Sequence, residues 1–216
     1  LNVGSKPHIP SHLKDLPTVL GTKPLHTLLE DFDNLQGELE SSREITLAIV
    51  GTGAGGVELA LALGTRFKKH PHFKIILIER NQRILHHYSQ GVSRKFEALL
   101  RKRNIQFACG QAIREILPNQ VVLEDGKEIP FQRILFANGA SPLPLLANSQ
   151  LELSDGGFIK TRSTLESVSD PRIFAAGDCA HLVDYPHLAK AGVYAVRQGP
   201  ILWNNLRAKV LGEALE

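Results

Sequence analysis

Residues Ile49 to Glu58 read Ile-Val-Gly-Thr-Gly-Ala-Gly-Gly-Val-Glu, and no other segment constrains the fold as tightly. An apolar run from Ile45 to Val50 meets glycines at Gly51, Gly53 and Gly56, and an apolar helical stretch follows. In that strand–turn–helix context, G-x-G-x-x-G predicts a dinucleotide site opening an α/β unit. Gly51 permits the tight turn, Gly53 lets backbone approach a pyrophosphate, and Gly56 lets the helix lie close to the strand. Ala54 and Gly55 then open a helix whose unpaired N–H groups and positive dipole end face the phosphates. The motif begins well inside the chain, so the residues before it need a role.

The flanking pattern is α/β. Ala54 to Lys69 reads as a helix apolar on most faces, and Phe73 to Ile78 as a parallel strand buried on both faces. Ser93 to Arg103 is a second helix and Ile105 to Ala108 a short strand. Val121 to Leu123 and Glu128-Ile129 flank an Asp125-Gly126 hairpin turn, and Arg133 to Phe136 is another buried strand. Ahead of the motif, Pro7, Pro10 and Pro17 punctuate a connector. Pro24 to Leu39 then carries Leu25, Leu28, Leu29, Phe32 and Leu35 at helical spacing. Beyond Pro142 and Pro144 the rhythm changes, with a strand from Arg172 to Ala176, a Gly-Asp turn, and a helix from about Ala189 to Leu211.

Three carboxylates stand at positions where chemistry and plain structure compete. Glu79 ends the Ile75-Ile76-Leu77-Ile78 strand, where an acid accepts both adenosine ribose hydroxyls and repels a 2′-phosphate, favouring NAD over NADP. Arg80 and Arg83 beside it have the chemistry to accommodate that phosphate instead. Glu58 either complements the helix dipole or holds a nicotinamide amide. Asp178 closes Phe174-Ala175-Ala176-Gly177-Asp178, either capping its own turn or accepting hydroxyl hydrogens from a sugar-like chain at a strand's carboxyl end.

Composition excludes several classes. A net charge of +3 over 216 residues is too slight to point to nucleic acid. Cys109 and Cys179 form no C-x-x-C pair, which disfavours a disulfide framework and suits a reducing, cytoplasmic compartment. His70 with His72, and His86 with His87, lack a metal-site arrangement, so no metal is expected. Arg94, Lys95 and Arg101-Lys102-Arg103 read as a solvated helix face. The last helix, with Ile201, Leu202, Trp203, Leu206, Val210 and Leu211, reads as a covering helix, with peripheral membrane contact as the alternative.

Gly51-x-Gly53-x-x-Gly56-x-Glu58, Asn138-Gly139-Ala140 and Phe174-Ala175-Ala176-Gly177-Asp178, in this order, resemble the pyridine nucleotide-disulfide oxidoreductase superfamily. The chain is similar to its type II NADH dehydrogenase branch. The stretch Ala189 to Pro200 further resembles the flavoprotein domain fused ahead of selenide, water dikinase. The resemblance implies a Rossmann-like NAD-binding domain with a parallel sheet and a β-meander, inserted into a partial FAD-binding domain. On that scheme residues 1–43 are a connector and helix of the FAD-binding domain, 44–140 the NAD(H) domain, and 141–216 the returning FAD part. It implies hydride transfer from NADH to FAD, with Glu58 by the nicotinamide, Gly139 among the cofactor-binding residues, and Gly177 and Asp178 on the flavin's ribityl and pyrophosphate. The helix opening near Lys190, Ala191 and Gly192 faces the flavin pyrimidine. No side chain is needed as a general acid or base. Implied partners are an unidentified electron acceptor, a fused or interacting selenide, water dikinase, and a second copy of the chain. The alternative is a non-catalytic NAD(H) sensor serving that fused enzyme.

Departures from the pattern carry their own expectations. The chain opens on Leu1 and contains no Met, as expected of a piece of a longer protein lacking the first glycine-rich βαβ unit. Such a piece binds NADH but holds FAD poorly. Asn138 stands where Thr is usual. Gly192-Val193-Tyr194-Ala195-Val196-Arg197 replaces Ala-Gln-x-Ala-x-Gln, which argues against quinone reduction.

Overall fold

Alternation along the buried strands decides the layering. The computed structural model describes residues 1–23, 25–41 and 44–216, and the chain divides into two units, Pro7–Asn138 and Leu1–Lys6 with Gly139–Glu216. The first unit runs β1 (Val19–Leu20), α1 (Leu25–Glu40), β2 (Ile45–Val50), α2 (Ala54–Arg66), β3 (Phe73–Glu79), α3 (Gln90–Lys102) and β4 (Gln106–Cys109). It continues through β5 (Ile113–Leu117), β6 (Gln120–Leu123), β7 (Glu128–Pro130) and β8 (Arg133–Phe136). Five strands form a parallel sheet in the order β1-β8-β2-β3-β4, and β5-β6-β7 form an antiparallel meander. Successive strand residues face opposite ways. Leu47, Ile49, Ile75, Leu77 and Leu135 therefore join one core with Phe32 and Leu35 of α1, Val57 and Leu63 of α2 and Leu100 of α3. Ala48, Val50, Ile78, Ile134 and Phe136 join the other core with Val121, Leu123 and Ile129 of the meander. Helices on one face and the meander on the other account for the near-continuous apolar strands.

The expected parallel sheet and meander are present, with several corrections. Residues from Pro7 onward pack with the glycine-loop sheet rather than with the C-terminal part: β1 pairs with β8, and α1 supplies Leu28, Phe32, Leu35 and Leu39 to the sheet's core. Pro24, the expected first residue of that helix, and Ser42 and Arg43, next to the expected domain boundary, lie outside the described residues. α3 starts at Gln90, earlier than its apolar spacing suggests, because the Ser89 hydroxyl caps the Val92 N–H. β5 was not expected; its Ile-Arg-Glu-Ile-Leu sequence lacks strict alternation, and its pairing with β6 is irregular between Ile113 and Glu115. The Asp125-Gly126 turn is present, with Gly126 left-handed at φ +84° and the Leu123 N–H donating to the Lys127 carbonyl at 2.9 Å.

The second unit contains α4 (Pro144–Ala147), β9 (Ile159–Thr161), β10 (Ala180–Leu182) and α5 (Gly192–Leu211), with β9 and β10 parallel. Arg172–Ala176 is not the expected strand. Only Phe174 forms a bridge, to Glu166, while Ala175 donates to Leu165 (3.0 Å) and Ala176 to Leu1 (3.0 Å). Bonding that switches partner from residue to residue supports no continuous ladder. α5 begins at Gly192, since Ala191 is extended at φ −145° and ψ 142°. Its inward face carries Gln198, Leu202, Asn205 and Ala208, whereas Val196 (77% exposed), Trp203 (69%) and Val210 (86%) point to solvent. α5 thus packs on its own unit through Leu202 and Ala208 beside the polar Gln198 and Asn205, while Ile201, Trp203, Leu206, Val210 and Leu211 stay exposed. No described helix is long and apolar enough to cross a membrane.

Candidate functional site

Three strand ends converge at the carboxyl edge of the parallel sheet. β2 runs into Gly51, β3 ends on Glu79, and β8 runs into Ala137 and Asn138. The Gly51 N–H donates to the Ile78 carbonyl at 3.0 Å, and the Ala137 N–H to the Val50 carbonyl at 2.8 Å. In open α/β sheets, ligands bind outside such strand ends where the strand order reverses.

The glycines of the loop are required for different reasons. Gly51 has φ +103°, and a Cβ there would lie 2.9 Å from the backbone of Ala137 and Asn138. At Gly56 a Cβ would lie 2.1 Å from the Gly51 carbonyl oxygen, so helix and loop touch only if it is glycine. Gly53 is different. Its φ of −63° suits any residue, and a Cβ would meet nothing within 4 Å. Open glycines also occur at Gly55, two residues on in the first turn of α2, and at Gly37 and Gly91, away from the loop. Gly53 differs from these in capping α2 at the carboxyl edge of the sheet. Ala54 is half-buried in the first turn; Gly55, Glu58 and Arg80 are exposed.

Glu79 is only 7% exposed. One carboxylate oxygen accepts from the Thr52 hydroxyl (2.6 Å) and the Thr52 N–H (3.2 Å). The other accepts from the Asn81 N–H (3.0 Å) and side-chain amide (2.6 Å). Burial raises its pKa, but the hydrogen bonds from the Thr52 hydroxyl and from Asn81 outweigh burial and hold the carboxyl below its ordinary value. Arg83 is committed elsewhere: its guanidinium donates to the carbonyls of Leu85 (3.2 Å), His86 (2.8 Å) and Tyr88 (2.8 Å). Sequence reading missed Thr52 and Asn81. Thr52 fills an unspecified position of the motif, and only the fold shows that its hydroxyl reaches Glu79.

The second unit gathers its own set. Gly177 opens a 3-10 turn at φ +72°, and its N–H donates to the buried Gln198 side-chain oxygen at 2.6 Å. Asp178 accepts from the Ser5 hydroxyl at 2.7 Å. Lys190 donates to the Ala180 carbonyl and lies 4.3 Å from the Phe158 ring centroid. Burial lowers its pKa, against the raising charges of Asp178 and Cys179. Ala191 caps α5, and Gly192 begins it with open space where a Cβ would stand. Gly177, Asp178, Lys190, Ala191, Tyr194 and Gln198 line one cleft. Gly139, the first residue after the glycine-loop unit, is left-handed at φ +55°. Among the described residues no group of three or more His, Cys, Asp or Glu is arranged to hold a metal ion.

A glycine-loop helix on a parallel sheet, with a Gly-Asp turn beside a second helix N-terminus, defines a dinucleotide-binding α/β protein. The chain belongs to the pyridine nucleotide-disulphide oxidoreductase family, whose model matches residues 1–203. It is 27% identical over 183 residues to a probable NADH dehydrogenase of Dictyostelium discoideum, covering 77% of this chain and 40% of that protein. It is 31% identical over 160 residues to demethylphylloquinone reductase of Synechocystis, covering 70% and 39%. The chain therefore spans about two fifths of the length of these relatives. Its fold is similar to that of a NAD-dependent persulfide reductase from A. fulgidus (TM-score 0.76, 21% identity, 100% of this chain and 39% of that one). It is likewise similar to a water-forming NADH oxidase from Lactobacillus brevis bound to NADH (TM-score 0.68, 23% identity, 94% and 44%).

Proposed function

We propose that this chain carries the NADH-binding site, and part of the FAD site, of a flavin-dependent NADH oxidoreductase. The observation that carries the reading is Gly53: the fold itself does not require glycine there, whereas a pyrophosphate lying on the α2 N-terminus does. On this reading Pro7–Asn138 binds NADH, and Leu1–Lys6 with Gly139–Glu216 contributes to FAD. When bound, FAD supplies the two-electron acceptor for the hydride of NADH and passes the electrons on. The protein's part is alignment and charge. Backbone N–H groups after Gly53 hold the pyrophosphate, and Glu58 holds the nicotinamide amide. Asp178, oriented by Ser5, and the Gly177 turn, fixed by Gln198, hold sugar hydroxyls of the flavin nucleotide. The α5 N-terminus at Ala191 and Gly192 offers partial positive charge to the flavin ring. The names of the relatives support NADH as donor.

The test uses the 216-residue chain and the longer parent protein that this reading implies. NADH is titrated into the chain by calorimetry, and the parent is assayed for bound flavin and for NADH-dependent dye reduction. Binding to the chain with a yellow, dye-reducing parent supports the reading. A colourless parent that binds NADH but reduces no dye would leave a nucleotide sensor instead.

A further inference from the structure

Carboxylates that read a ribose diol must have lone pairs to offer, and Glu79 has none unengaged. A carboxylate offers about four acceptor sites. Here the Thr52 hydroxyl and N–H and the Asn81 N–H and amide occupy them, at 2.6, 3.2, 3.0 and 2.6 Å. We propose that Thr52 and Asn81 are positioning residues that fix Glu79 as a buried charge. Glu79 then excludes a 2′-phosphate by repulsion and does not recognise the adenosine ribose through its hydroxyls. The proposal rests on the glycine loop being the dinucleotide site.

The surroundings are built to keep that arrangement. Thr52 is wholly buried, and its carbonyl accepts from the Leu85 N–H at 2.9 Å, so one residue ties the glycine loop to both β3 and the loop after it. Leu85 holds a left-handed φ of +50°, which its hydrogen bond to Thr52 and the Arg83 clamp on its carbonyl help to maintain. That clamp also withdraws the Arg83 guanidinium from a 2′-phosphate, which leaves the exposed Arg80 as the cation next to Glu79. The Ser93 hydroxyl donates to the Ile84 carbonyl at 2.7 Å, pinning the same loop to α3. The low pKa of Glu79 keeps the charge in place at neutral pH.

The experiment compares the wild-type chain with Thr52→Val and Thr52→Ser, measuring Kd for NADH, NADPH and the 2′-deoxyadenosine analogue of NADH, with Tm recorded for each protein. The wild type is expected to bind the deoxy analogue within about twofold of NADH, since no hydroxyl contact is lost, and NADPH far more weakly. Thr52→Val, which removes one hydrogen bond to a charged group, lowers the NADH-over-NADPH ratio by about tenfold. Thr52→Ser restores it. A deoxy analogue bound tenfold more weakly than NADH by the wild type overturns the proposal, because Glu79 then releases its partners to read the diol. A Thr52→Val protein with lower Tm but an unchanged ratio also overturns it, leaving Thr52 structural. A wild type that binds none of the three overturns the glycine-loop reading itself, which the other outcomes leave intact.

Discussion

Replacing Gly53 and Gly56 by alanine separates what the fold needs from what the ligand needs. At Gly56 the new Cβ would stand 2.1 Å from the Gly51 carbonyl oxygen and 3.3 Å from the Ala137 Cβ. The first neighbour is backbone, so α2 must lift from the loop, an overpacking cost of about 3 kcal/mol. In a chain of this size that lowers Tm by about 6 to 12 °C. At Gly53 a Cβ meets nothing within 4 Å and φ is −63°. Exchanging glycine for alanine at a helix N-cap costs at most about 1 kcal/mol. The restricted unfolded chain returns about 0.4 to 1 kcal/mol. Gly53→Ala should therefore unfold within about 3 °C of wild type. A methyl placed where the pyrophosphate must pass should nonetheless weaken NADH binding by about tenfold or more. Differential scanning calorimetry gives Tm, and quenching of intrinsic fluorescence gives Kd. Gly53→Ala binding NADH as tightly as wild type would refute the ligand-based account of this glycine. A large fall in its Tm would refute the claim that the fold is indifferent to it.

Further consequences follow from the groups around Glu79 and β4. The folded-state pKa of Glu79 lies below its ordinary value of 4.5. Its contribution to stability is therefore complete above pH 4.5 and is lost as pH falls through the folded value. A Glu79→Gln protein should melt well below wild type at pH 7, with the gap closing as pH falls below 4.5; a gap of constant size would exclude the ionised network. Burial, then the charges of Glu79 and Glu97, push the Cys109 thiol up to about 11. At pH 8 about one thiol in a thousand is then thiolate. Native protein should resist iodoacetamide at the half-buried Cys109 and react on unfolding; rapid native labelling would contradict the raised thiol pKa.

Local patterns in the sequence carried most of the glycine-loop unit. β2, β3, β8 and the loop were legible because each is a short apolar run bounded by glycine, or by an acid at the strand end, and buried parallel strands leave little other choice. The Thr52–Glu79 contact was not legible, because it joins residues 27 apart and depends on how β2 and β3 align. Arg83 could not be assigned from its neighbours either: whether it meets phosphate or carbonyls depends on how residues 85–88 turn. β5 and the false strand at Arg172–Ala176 show the same limit, since an irregular ladder leaves no period to read. In α5 the inward positions mix polar Gln198 and Asn205, the latter bonded to Thr164 and Glu216, with Leu202 and Ala208, so hydrophobicity alone did not mark the packed face.

Residues at the two ends of the sequence meet in one unit: Lys6 exchanges backbone hydrogen bonds with Ser141 (2.9 and 2.8 Å), and Leu1 meets Phe174 and Ala176 (2.5 and 3.0 Å). The other unit, Pro7–Asn138, is therefore an uninterrupted loop hung between Lys6 and Gly139. Closing so long a loop costs little at equilibrium, because the entropy grows only with the logarithm of length, about 0.6 kcal/mol per doubling. Its effect is on order in time. Contacts close in sequence form before distant ones, and domains emerge from the N-terminal side during synthesis. The glycine-loop sheet can complete itself before Ser141, Phe174 and Ala176, the partners of Lys6 and Leu1, are made. In pulsed hydrogen exchange during refolding, amides of Ile45–Val50 should gain protection before that of Ala176; the reverse order would mean that the split unit organises the insertion.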